Sequence, residues 1–232
     1  MFTGFPEETI QFFLDLRFHN QVSYYNDRRD DFRMQVQQPF YAFIDALAPA
    51  MQKIDPEMEV RPYKCLARIR RDTRFTKDKS PYRDHLWLSF HRAGAPREQS
   101  LFYWFELGVD HMDWGMGFWG ENRMALDLLR RKIAANPEQI RGILDSCKLP
   151  EHRLLLGGSQ FKRMTVPDQV PEDLRPWYLA KELYVQRYGI QQKWAFDDKL
   201  TGRVRRDFQT LAPLYRLLRG IVDDLQIDPD DA

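Results

Sequence analysis

In the stretch RDTRFTKDKSPYR, residues 71–83, five basic side chains (Arg71, Arg74, Lys77, Lys79 and Arg83) stand among two aspartates, Asp72 and Asp78. Widened to residues 61–83, the count is nine basic groups against the same two acids, a local +7, because Arg61, Lys64, Arg68 and Arg70 precede the stretch. The whole chain has 35 Lys and Arg against 34 Asp and Glu, a net +1, which leaves −6 for the remainder. Arginine carries a planar fork of donors that matches carboxylate or phosphate, so several arginines converging at a strand end make an anion site. Arg68, Arg70 and Arg74 are the candidate direct ligands of a small phosphorylated or carboxylated molecule, with Lys77 and Lys79 as outer, more solvated contributors. Two other readings use the same cations: a structural ion network with Asp72, Asp78 and acids of flanking helices, or a basic face that docks an acidic protein or nucleic acid. The near-zero total charge argues against generic nucleic-acid binding.

Glu106 and Asp113 are the candidate general acid and base. Their relation depends on the turn between the strands that carry them. A two-residue turn at Val109 and Asp110 pairs Gly108 with His111 and sets Glu106 opposite Asp113; a three-residue turn pairs Glu106 with Met112 instead. Two carboxylates on one face can push one pKa up and supply proton transfer, whereas Glu106 bonded to Arg68 or Arg70 is the plainer, structural expectation. Trp104, with Trp87 and Phe102, can line a groove beside the arginines and stack on a ring or a guanidinium, or serve as core.

Other chemistries lack their patterns. None of the five histidines (His19, His85, His91, His111, His152) forms an HExxH or a Cys and His cluster with zinc spacing. His85 and His91 share a strand face by parity but lie about 20 Å apart along one extended strand, too far to chelate one ion. No metal site is therefore assigned. Gly157 and Gly158 lack the GKS or GKT ending of a phosphate loop, and neither serine nor cysteine sits in a nucleophile motif. No residue pattern names a cofactor or an oligomeric state.

The elements that must position these groups follow from periodicity. Pro6, Glu7 and Glu8 suit a first helical turn, and Ile10, Phe13 and Leu14 give it a buried stripe. A second helical pattern runs from Tyr24 through Phe32, Val36, Phe40, Ile44 and Met51, with Pro39 and Pro49 expected to kink or divide it. From residue 64 the period becomes two, and KCLARIR, HLWLSFHR, SLFYWFEL and HMDWGMGFW read as strands with antiparallel neighbours. In the first of these, alternation sends Cys65, Ala67 and Ile69 to one face and Arg68 and Arg70 to the other. The stretch 71–83 is then a turn-rich loop that returns to the sheet near His85. ENRMALDLLRRKIAAN and PEQIRGILDSC are helical, split at Asn136 and Pro137. LLLGGSQFKRMTV reads as a turn into a strand, PEDLRPWYLAKEL as helix, YVQRYGI as extended, and Leu211, Tyr215, Leu218, Val222 and Leu225 as a last helix before a frayed acidic tail, DPDDA.

These readings assemble into one α+β domain over residues 1–232, with N-terminal and C-terminal helices packed on a central, mostly antiparallel sheet. Two cysteines do not make a disulfide framework for 232 residues, the N-terminus places acids where a signal peptide needs cations, and no run of about 18 apolar residues occurs. The expectation is a cytoplasmic protein with no membrane partner.

The arrangement ARIRRDTRFTKDKSPYR closely resembles the central motif of a widespread microbial family of conserved hypothetical proteins, classified as a domain of unknown function. FTGFPEETIQFFLDL, YYNDRRDDF, FKRMTVP at 161–167 and KELYVQR resemble the same family along the length of the chain. The family often has an NN pair, a Trp and a Phe where this chain has His19, Asn20, Tyr24 and Tyr25. The resemblance implies kinship and no assigned activity.

Overall fold

A computed structural model of the chain describes residues 2–74, 77–94 and 100–227. The tail DPDDA, and Phe75 and Thr76 within the basic loop, lie outside the described residues. The elements are α1 (Glu7–Phe18), α2 (Val22–Asp27), α3 (Arg29–Asp31), a π-helical segment (Phe32–Gln37), α4 (Gln38–Ile54), α5 (Pro62–Cys65), β1 (His85–Phe90), β2 (Leu101–Gly108), β3 (Met112–Phe118), α6 (Arg123–Ala135), α7 (Pro137–Ser146), β4 (Leu154–Gly157), α8 (Arg175–Tyr178), β5 (Tyr184–Arg187), α9 (Leu200–Thr210) and α10 (Ala212–Ile227). The strands form a five-stranded antiparallel sheet in the order β1-β2-β3-β5-β4, an α+β architecture. No described helix is long and apolar enough to cross a membrane.

The described chain falls into two compact units. One comprises Met1–Phe90, Trp104–Trp114 and Ile190–Arg206. Its core is aromatic: Phe5 stacks on Phe105, Phe43 meets both edge-on, and Phe105 stacks on Trp114. Pro39 explains the π-helical segment before α4. Lacking an N–H, it leaves the Gln35 carbonyl without its helical donor, and the buried Thr9 hydroxyl of α1 donates to that carbonyl instead. Pro49, by contrast, lies inside α4 without dividing it.

The other unit comprises His91–Tyr103, Gly115–Gly189 and Asp207–Ala232. Here β5 lies between β3 and β4, with Met116 opposite Val185 and Leu156 opposite the same residue from the other side. Helices α6, α7 and α10 pack together, and Tyr103 meets Phe208 and Tyr215 in the core. Arg130, almost wholly buried, donates from Nε to the Tyr178 carbonyl at 2.8 Å and from its Nη2 to the Ala180 carbonyl, so one side chain of α6 holds the turn after α8.

Several expected elements differ. KCLARIR is not a continuous strand: Pro62–Cys65 form one helical turn, set by Pro62 at the first helical position, and only residues beyond it are extended, with bridges Leu66 to Leu88 and Arg70 to Tyr82. In LLLGGSQFKRMTV the strand comes first and ends on Gly157, and the turn follows at Gly158, whose φ of +96° an L side chain rarely adopts. PEDLRPWYLAKEL supplies only a 3₁₀ turn, Glu172–Leu174, and the single turn α8, because Pro176 bars a longer hydrogen-bond ladder. The C-terminal helical region is two helices, α9 and α10, broken at Leu211.

Both cysteines are free and buried; burial pushes the Cys65 thiol up to about 12 and raises Cys147. A buried ion pair joins Arg187 of β5 to Asp207 of α9 at 2.8 Å, with Asp207 fully buried and the same guanidinium Nη1 donating to the His152 carbonyl at 3.1 Å. Removing one member of such a pair strands the other charge away from water. Asp207→Ala is expected to lower unfolding stability by about 3–5 kcal/mol, measured as a shift of the urea midpoint at unchanged slope; a variant within about 1 kcal/mol of the parent contradicts this role.

Candidate functional site: a carboxylate and imidazole cluster beside a basic ribbon

The chain on either side of the basic loop forms an antiparallel ribbon. Ala67 N–H donates to the Trp87 carbonyl at 2.9 Å, Arg83 N–H to the Ile69 carbonyl at 3.0 Å, and Arg71 N–H to the Pro81 carbonyl at 2.8 Å. Alternation places Ile69 inside and leaves Arg68 and Arg70 exposed. Asn20, between α1 and α2, locks the returning arm through two reciprocal bonds to the Tyr82 backbone, both 2.9 Å, while Tyr25 stacks on the Tyr82 ring. Sequence reasoning left these two positions without a role, since only the fold brings them to residue 82.

Inside the loop the two aspartates organise the cations. Asp72 accepts the Arg74 backbone N–H at 3.2 Å and its guanidinium at 3.0 and 2.8 Å, and these bonds, the side-chain ones first, hold its carboxyl down at about 2. Asp78 accepts the Ser80 N–H at 2.9 Å and pairs with Arg71 at 3.1 Å; the Ser80 bonds are the leading cause of its lowered pKa. Lys79 Nζ donates to the Thr73 carbonyl at 2.7 Å, and Lys77 is exposed. Arg71 Nε is buried and finds no acceptor among the described residues. Arg83 turns back on the ribbon, its Nη1 donating at 2.7 Å to the carbonyls of both Arg68 and Arg70, while its guanidinium lies 4.7 Å from the centre of the Trp87 ring.

Trp87 stacks in turn on His85, and there a second polar cluster begins. The β2 to β3 connection is the two-residue one: Gly108 N–H donates to the His111 carbonyl at 2.9 Å, with Val109 and Asp110 between. In that register Glu106, Gly108, His111 and Asp113 share a face, and His85 of β1 adds to it. His111 Nε2 lies 2.8 Å from Glu106 Oε1, and His85 Nε2 lies 3.6 Å from the same oxygen. Glu106 thus takes histidine partners and neither Arg68 nor Arg70. Trp104 is set here too, half-buried and donating from Nε1 to Asp113 Oδ1 at 2.8 Å.

Gly108 makes the crowding possible. A Cβ at this position lands 2.8 Å from both His111 Cε1 and His85 Cβ, so a side chain there displaces the His111 ring or the His85 backbone segment. Arg17 of α1 holds the two histidine-bearing segments from outside, donating from Nε to Asp84 at 2.7 Å and reaching Asp110 at 2.6 Å. Asp84 also lies 3.0 Å from His85 Nδ1. Burial alone raises the Asp84 pKa, but the bonds from His85 and Arg17 outweigh it and the net shift is downward. The Glu106 bond raises His111, and burial raises Asp113 against the opposing bond from Trp104. Glu106, His111 and Asp113 present donor atoms within 4.8 Å of one another. Sequence reasoning found the two carboxylates through the register of the turn; it missed the imidazoles, whose meeting requires β1 to lie beside β2.

With its pKa raised in the folded state, charged His111 adds stability that is fully present below the unfolded value of about 6.5 and is lost as pH rises through the folded one. NMR titration in chelator-containing buffer is expected to give His111 a pKa above 6.5 that falls in Glu106→Gln; an unshifted His111 in the parent protein contradicts the bond. At the loop, Asp72→Ala is expected to speed tryptic cleavage after Arg74, Lys77 or Lys79 severalfold, and unchanged cleavage there contradicts an organising role for this carboxylate.

No curated protein shows a significant match to the chain. A family model described as conserved hypothetical protein (DUF2461) matches residues 8–217, a span that takes in nearly all of α1, the basic ribbon, the Glu106 and His111 cluster and the first turns of α10. The chain belongs to this family of conserved hypothetical proteins, DUF2461.

Proposed function

We propose that the protein binds a small phosphorylated or carboxylated molecule beside the basic ribbon and that the neighbouring carboxylate and imidazole groups exchange protons with it. The observation that carries this reading is Arg83, which joins the two clusters: its guanidinium grips the carbonyls of Arg68 and Arg70 and lies over Trp87, whose ring stacks on His85. An anion held by the exposed guanidinium groups of Arg68 and Arg70 thereby stands next to groups suited to acid–base work. Charge-assisted bonds from two arginines supply the affinity, and His111, its Nε2 lying 2.8 Å from Glu106 Oε1, supplies a proton donor or acceptor.

The members of the set differ in availability. Arg74 is committed to Asp72 and a ligand must compete for it, whereas Lys77 and Lys79 act as outer charges. Trp104 works through Asp113, to which it donates, and burial raises the Asp113 pKa. Two buried free thiols support a reducing compartment, the cytoplasm.

Calorimetric titration with inorganic phosphate, nucleotides and phosphorylated or carboxylated metabolites tests the proposal. Saturable binding is expected, weakened by at least about tenfold in the double variant Arg68→Ala/Arg70→Ala and less in Arg74→Ala, as follows from losing charge-assisted bonds of about 1.5–3 kcal/mol each. Binding of none of these anions, or binding that survives the double variant, overturns it. Uptake of oligonucleotides in preference to all small anions favours a docking face instead.

A further inference from the structure

The proposal above uses the cluster as a proton store, yet its donor atoms are arranged for another ligand. We infer that Glu106, His111 and Asp113, with His85 as the fourth donor, form a binding site for one divalent transition-metal ion of the zinc class. The first three residues bring a carboxylate oxygen, an imidazole nitrogen and a second carboxylate oxygen within 4.8 Å of one another. An ion with bonds of about 2.0–2.2 Å spaces its donors about 3.3–4.4 Å apart, so small side-chain rotations close the set. His85 Nε2 stands 3.6 Å from the same Glu106 oxygen that His111 approaches, already at a spacing one shared ion sets.

The surrounding groups leave these donor atoms aimed inward. Asp84 faces His85 Nδ1 at 3.0 Å, and a carboxylate accepting that N–H fixes the tautomer whose Nε2 carries the lone pair. Asp84 is held in turn by Arg17, which also ties down Asp110 beside His111. Trp104 occupies one oxygen of Asp113 and leaves the other for an ion. Gly108 leaves room for both histidines, since a Cβ there meets the His111 ring and the His85 Cβ at 2.8 Å. A ligand set of two imidazoles and two carboxylates suits zinc, iron or nickel and disfavours magnesium, which prefers oxygen and retained water. His111 is exposed while Glu106 and Asp113 are half-buried, so the ion has a face open to solvent and can take a further ligand there.

The ion binds with no anion present, and the anion's own contacts are Arg68 and Arg70, so the two bindings are measured separately although the proton-exchanging groups are shared. Chelator-treated protein titrated with Zn²⁺, with Co²⁺ as the spectroscopic probe, is the test. One ion per chain is expected, with d–d absorption of a four- or five-coordinate centre, and with proton release as the metal replaces the proton between His111 and Glu106. His111→Ala and Asp113→Asn should each weaken binding more than tenfold. Asp84→Asn should weaken it about 10- to 100-fold without removing a donor atom, and Gly108→Ala should weaken it by crowding the rings; circular dichroism of each variant keeps a folding defect distinct from loss of a ligand. Absence of one-to-one binding, affinity unchanged in folded His111→Ala and Asp113→Asn, or Mg²⁺ displacing Zn²⁺ at equal concentration overturns the inference. Anion binding measured on the same samples is decided separately by Arg68 and Arg70.

Discussion

Strand register is the constraint on which the polar cluster depends. Because side chains alternate across a strand, the Gly108 to His111 bond decides at once that Glu106, His111 and Asp113 share one face while Phe105, Leu107, Met112 and Trp114 turn to the other and are buried. A turn longer by one residue sets Glu106 against Met112, separates the carboxylates and puts charge where the aromatic core of Phe5, Phe43 and Phe105 requires apolar surface. The apolar face and the polar face therefore enforce the same register, and burial of the first makes the second rigid.

Long cations then act as ties. Arg17 reaches from α1 to Asp84 and Asp110, next to His85 and His111, and Arg83 reaches across the ribbon to two carbonyls and an aromatic face. Arg71 and Arg74 pair with the loop's own aspartates. Much of the local charge excess is thus spent on shaping a loop too polar to bury a core of its own, which is the structural role of an ion network. Arg68 and Arg70 remain exposed on one side of the ribbon. The structural ties are thus carried by Arg71, Arg74 and Arg83, apart from the exposed pair.

Much of the fold was legible because it rests on local period and on a few special residues. Alternation from residue 85 to 118 marked three strands, Asn136 and Pro137 marked a helix boundary that Asn136 caps through its side chain, and Arg68 and Arg70 fell on the exposed face as parity required. Local rules failed where two of them competed. Pro62 started a helical turn inside a run that alternates like a strand, and the partner that Pro39 denied to the Gln35 carbonyl came from Thr9, twenty-six residues earlier in the chain.

By itself the sequence determined the α+β class, the polar and apolar faces of the hairpin, the concentration of cations at 61–83 and, through the turn at Val109 and Asp110, two alternative relations between Glu106 and Asp113. The tertiary structure alone decided which register holds, that His85 joins His111 at one carboxylate, that Asn20 clamps Tyr82 and that Arg17 braces both histidine segments. The physical reason is separation along the chain. Periodicity assigns a residue to a face within its own element, but a contact between residues 62 to 67 positions apart, like those of Asn20 and Arg17, exists only once packing has placed one element beside another.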